Sequence, residues 1–117
     1  MNFSVVVSEE ARAFLLSLEV KLRAKAFRTI ELLQAYGPLL GMPHSRKIVG
    51  TDSLHELRVH QGSNICRLFY FYKGNELYVI VSGFVKKADK TDKREIERAV
   101  RFMNEYLEED NGEDERV

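Results

Sequence analysis

Apolar and polar positions along this chain change period twice. A short apolar, β-branched run, Phe3–Val7, reads as a first strand. Ser8 followed by Glu9 and Glu10 suits a helix start, a capping hydroxyl with acids near the positive end of the dipole. Ala11, Phe14, Leu15 and Leu18 then recur at helical spacing, and Leu22, Ala26, Phe27, Ile30 and Leu33 form the stripe of a second helix that Gly37-Pro38 stops. After a loop, with a short strand expected at Lys47–Val49, the period falls to two. In Leu54–His60, Leu57 and Val59 alternate with Glu56, Arg58 and His60; in Asn64–Tyr72, Cys66, Leu68, Tyr70 and Tyr72 alternate with Ile65, Arg67, Phe69 and Phe71. Leu77–Phe84 is apolar on both faces, as a central strand covered twice would be. Turn residues at Gln61-Gly62 and Lys73-Gly74-Asn75 predict an antiparallel meander. The helical period returns at Ile96, Ala99, Val100, Met103, Tyr106 and Leu107, behind a capping pair Asp92 and Glu95. The pattern predicts an α+β domain: an N-terminal strand and helical hairpin on a mainly antiparallel sheet, with a C-terminal helix along an edge or on the other face.

Charge changes that picture at one end. The chain of 117 residues has 18 basic and 18 acidic side chains, but residues 108–117 hold six acids and one base. That leaves 17 bases against 12 acids, a net +5, for residues 1–107. The expected organisation is one domain over 1–107 and an acidic, disordered tail over 108–117. A basic body points to a polyanionic partner. No apolar run approaches a membrane span, the N-terminus lacks the features of a signal peptide, and the single cysteine allows no internal disulfide, so a cytoplasmic location without membrane contact is expected.

Candidate chemistry is correspondingly cationic. The chain contains neither a P-loop nor a dinucleotide-binding glycine motif, and His44, His55 and His60 do not pair with carboxylates at ligand spacing, so no metal or cofactor is expected. Cys66 lies inside an apolar strand, as a small core residue would. Between His44 and Arg94 stand ten Lys or Arg residues against five acids. Two of them, Arg58 and Arg67, sit within strands built to be at least half buried, where a guanidinium costs desolvation unless it is paired or faces a cleft. One reading makes Arg58 the partner of Glu56 in a structural ion pair. The other points both guanidiniums from adjacent strands into one phosphate-binding hollow, with Lys86 and Lys87 at its rim.

The segments HELR (55–58), NICRLFYFYKGNELYVIVSGFVKK (64–87) and KREIERAVRFMNEY (93–106), with the loop GPLLGMPHSRKI (37–48), resemble the RelE/ParE toxin superfamily, most closely its phage-related HigB-like branch. The likeness covers roughly residues 3–106. It implies a RelE-like fold and a ribosome-dependent, metal-independent endoribonuclease, an mRNA interferase that cuts mRNA in the ribosomal A site and so inhibits translation. It also implies a cognate antitoxin, a HigA-like helix-turn-helix protein. Carried over by position, Arg58 and Arg67 match the strand arginines of the family, and Lys86 and Lys87 its basic pair after the last strand. Leu54 and Glu56 stand where strong cleavers carry bases, Cys66 stands where tyrosine is usual, and no tyrosine follows the basic pair within Ala88–Ile96.

The implied reaction is attack of an RNA 2′-hydroxyl on its own 3′-phosphate, with cations stabilising the charge that develops on phosphorus oxygens. Arg58, Arg67, Lys87 and His60 form the expected catalytic set, His60 as a proton-transfer partner with Glu56 as a second candidate base. Lys86, Lys90, Arg46 and Lys47 are the expected RNA-binding residues. Tyr70 and Tyr72 fall on the opposite parity and are assigned to the core. Three alternatives stay open: a ParE-like toxin that inhibits gyrase, a non-catalytic RNA-binding homologue that uses Phe69 and Phe71 as exposed base platforms, and a degenerate toxin homologue retained as an interaction protein. The cleft reading fails if both arginines are buried against internal carboxylates.

Overall fold

The computed structural model describes residues 2–86 and 92–115, with backbone alone for Lys86 and for 110–115. In chain order the elements are β1 (Ser4–Val7), α1 (Glu9–Ser17), α2 (Val20–Tyr36), a 3-10 turn (Gly37–Leu39), β2 (Ser45–Lys47), β3 (His55–Gln61), β4 (Asn64–Gly74), β5 (Leu77–Lys86) and α3 (Lys93–Glu115). The five strands form one sheet in the order β1-β5-β4-β3-β2. β3, β4 and β5 make the expected meander, β2 adds antiparallel to β3, and β1 lies parallel to β5.

Local chemistry sets the element ends. Ser8 Oγ accepts the Ala11 N–H at 3.2 Å and donates to the Val81 carbonyl at 3.1 Å, so the cap of α1 also ties that helix to β5. α2 ends at Gly37, whose φ of 52° is open to glycine at little cost. Between β4 and β5, Asn75 and Glu76 both take positive φ, the left-handed pair that matches strand twist in a tight hairpin. The turn therefore falls one to two residues later than Lys73-Gly74-Asn75. Asp92 Oδ1 accepts the Arg94 N–H at 2.9 Å at the start of α3. The backbone of α3 continues as helix through 108–115, where composition alone predicts disorder.

Two cores sandwich the sheet. On one face α1 and α2 press Ala11, Leu15, Leu22, Ala26, Ile30 and Leu33 onto Leu57, Val59, Cys66, Leu68, Tyr70 and Ile80. On the other, α3 sets Ala99 and Met103 on Leu54, Phe69, Phe71, Val79 and Val81. β5, central and covered twice, is apolar on both faces for this reason. Two side chains depart from their expected places: Phe27 is 46% and Tyr72 47% exposed, so neither is core. No helix among the described residues is long and apolar enough to cross a membrane.

Candidate functional site

The register of β2, β3 and β4 builds the site. Arg46 pairs with Glu56 across β2–β3, and Arg58 pairs with Arg67 across β3–β4. Residues 56 and 58 share a strand face, so all four side chains fall on the face that α3 partly covers. There the Glu56 carboxylate gathers three guanidiniums on one oxygen. Its Oε2 lies 2.9 Å from Arg67 Nη1, 3.1 Å from Arg46 Nε and 3.7 Å from Arg58 Nε.

Exposure grades these cations from the strand interior outwards. The Arg67 and Glu56 side chains are fully buried, Arg58 retains 10% of its surface and Arg46 41%. Burial lowers the pKa of Arg67, and the Glu56 carboxylate opposes that by favouring the charged form. The hydrogen bond from Arg67 to Glu56 is charge-assisted and supplies the compensation that a buried guanidinium needs.

This arrangement corrects the expected clamp. Both arginines share one sheet face, as the clamp requires, but both turn onto an internal carboxylate, and Arg67 is sealed from solvent. Arg67 has no surface to offer a ligand, and Arg58 has only its open edge. The structural ion pair between Arg58 and Glu56 is present, and it extends to Arg67 and Arg46. The physical reason is desolvation: a carboxylate two residues from Arg58, on the same strand face, is the nearest compensating charge.

The other expected site residues divide. His60 is exposed on the Arg58 side of β3. Lys86 occupies the register position beside Ile65, itself the partner of His60, which sets the three backbones in one row across β3, β4 and β5. Lys87 and Lys90 lie outside the described residues. Lys47 is exposed but pairs with His55, so it projects from the face opposite Arg46 and does not join the cluster. Phe69 and Phe71 are 0% and 2% exposed, which removes the base-platform reading. Cys66 is buried, and burial pushes its thiol pKa up to about 12, so it is no nucleophile. The sequence reading missed that Arg46 belongs to the arginine cluster.

The family model described as phage-derived protein Gp49-like matches residues 13–104. No curated protein matches the chain in sequence. Among solved structures it is similar to a mutant of the Escherichia coli toxin RelE in the free state, with TM-score 0.58 and 17% identity over 76% of this chain and 86% of that one. It is also similar to the toxin–antitoxin complex RelBE2 of Mycobacterium tuberculosis, with TM-score 0.56 and 15% identity over 74% of this chain and 100% of that one. The archaeal RelE–RelB complex of Pyrococcus horikoshii matches with TM-score 0.54 and 18% identity, covering 77% of this chain and 100% of that one. At such identities the likeness is one of fold.

Proposed function

Because the chain belongs to the phage-derived Gp49-like family, within the RelE/ParE-like toxin superfamily, we propose that it is the toxin of a type II toxin–antitoxin pair that acts on mRNA at the ribosome. The observation that carries this reading is the convergence of three guanidiniums, from three neighbouring strands, on one sheet face with Arg46 open to solvent. Such a face is shaped for a polyanion, and the +5 body around it draws one in.

The roles differ from those of a two-arginine clamp. Arg58 and Arg46 meet RNA phosphates, and the basic residues Lys86, Lys87 and Lys90 add to the charge that draws RNA in. Arg67 is a positioning residue: it holds Glu56, and Glu56 fixes the orientation of Arg58 and Arg46. His60, exposed on the same side of β3, moves the proton as the 2′-hydroxyl attacks the 3′-phosphate and leaves a cyclic phosphate and a 5′-hydroxyl. Fixed donors aimed at the developing charge supply the rate, and alignment of the strand in the ribosome supplies more. The solved relatives in complexes are paired with RelB antitoxins, which supports an antitoxin for this chain, a HigA-like protein in our reading.

Burial of Arg67 favours a second reading, a toxin of the same fold that works by protein contact, as a gyrase inhibitor would. Pulse labelling after induction separates the two. The RNA reading expects protein synthesis to stop first with plasmid supercoiling intact; loss of supercoiling with synthesis continuing establishes the other.

A further inference from the structure

On the sheet face opposite the arginines lies a pocket of about 350 Å³ walled by rings: Phe3, Tyr70, Tyr72, Tyr78 and His55. Its remaining wall is backbone and aliphatic carbon from the Gly37–Leu40 turn, and no carboxylate, lysine or arginine lines it. Chemistry acting on the arginine face uses none of these residues.

The rings are held as walls. Tyr78 meets Phe3 at 61°, Tyr70 at 73° and Tyr72 at 54°, with centroids 5.0–5.7 Å apart. Tyr70 is pinned by a 2.6 Å hydroxyl contact with Ser45, and the Tyr72 hydroxyl accepts the Glu76 N–H at 3.0 Å. A Cβ at Gly37 would overlap the Phe3 ring, so glycine there lets Phe3 close one side. Tyr72 remains 47% exposed, at the mouth.

Phe3, Tyr70 and Tyr72 are each tilted to Tyr78, and His55 stacks on Tyr70 at 27° with centroids only 5.3 Å apart, so these contacts leave no parallel slot for a flat base. Aromatic walls carry negative π-faces, which suit a rounded cation, and phenol oxygens add acceptors. Rings fixed before binding spare the ligand the cost of ordering them. We propose that this aromatic box is a binding site for an organic ammonium or guanidinium cation, separate from the arginine face.

The chain has five tyrosines and no tryptophan, and three of those tyrosines line the box, so tyrosine emission reports occupancy directly. Three probes titrated at about pH 8 test the proposal: choline, its uncharged isostere 3,3-dimethylbutan-1-ol, and N-acetyl-arginine amide. We expect choline to bind at least roughly tenfold tighter than the isostere. We also expect Tyr72→Phe to keep that preference and Tyr72→Leu to lose it, with far-UV circular dichroism unchanged in both. Choline binding best identifies a small-molecule cation; the arginine amide binding best identifies the side chain of a protein partner, with the same cation chemistry. Equal binding of the isostere, or no response to any probe from the wild type, overturns the proposal.

Discussion

Glu56 Oε2 and Arg67 Nη1 lie 2.9 Å apart, and neither side chain exposes any surface. This buried pair is the centre on which Arg58 and Arg46 are hung, so its loss reaches both stability and the charged face.

Replacing Glu56 by Gln leaves a fully buried guanidinium without its carboxylate. Breaking a buried pair in this way costs roughly 3–5 kcal/mol. Chemical denaturation should show the midpoint falling with little change in slope, and Glu56→Leu combined with Arg67→Met should recover much of the loss. A midpoint unchanged in Glu56→Gln would contradict the central place of this carboxylate.

Arg46 tests the surface role without that burden. Its ion pair is 41% exposed, so Arg46→Ala should change stability by no more than about 1 kcal/mol. RNA affinity should fall uniformly across sequences, and the slope of log affinity against log salt should drop by about one. Binding measured over a salt series checks both.

How much of this could be read from the sequence depends on what each feature needs. The helical stripes, the period-two strands and the Ser8 cap depend on near neighbours, and, Phe27 and Tyr72 apart, they stand where the pattern puts them. The arginine cluster depends on register. With a strand expected at Lys47–Val49, Arg46 falls in a loop; the observed strand starts two residues earlier, at Ser45, which sets Arg46 opposite Glu56. That shift has a cause beyond local propensity, because Ser45 is buried and its hydroxyl meets Tyr70. Arg67 was legible as an anomaly within an apolar strand, but whether it opened to a cleft or closed on Glu56 is decided by cross-strand geometry. The tyrosine box joins Phe3 and Gly37 to β3, β4 and β5, contacts too distant in sequence for any periodicity to signal.

Ser45→Ala leaves the buried Tyr70 hydroxyl without its partner, and a stranded buried polar group costs about 1–3 kcal/mol. Thermal unfolding should register that loss, and tyrosine emission should change because Tyr70 walls the box. Ser45→Thr, which keeps the hydroxyl, should lie closer to the wild type.

Cys66 gives a pH signature. Its folded pKa of about 12 is above the ordinary value of 9.0, so the fold holds the proton where the unfolded chain releases it. Its contribution to stability is therefore complete below about pH 9 and declines as pH rises towards 12. In native protein near neutral pH, mass spectrometry after iodoacetamide treatment should find Cys66 unmodified, with full modification once denaturant is added.

The most direct test is to add the purified chain to ribosomes programmed with a defined mRNA and map new 5′ ends, for wild type and for Arg58→Ala. The account predicts cuts within the A-site codon for wild type, fragments with 5′-hydroxyl ends, and a rate about 10²–10³ lower for Arg58→Ala, the usual cost of one preorganised donor. Intact mRNA with folded wild-type protein, or cleavage indifferent to Arg58, would contradict it.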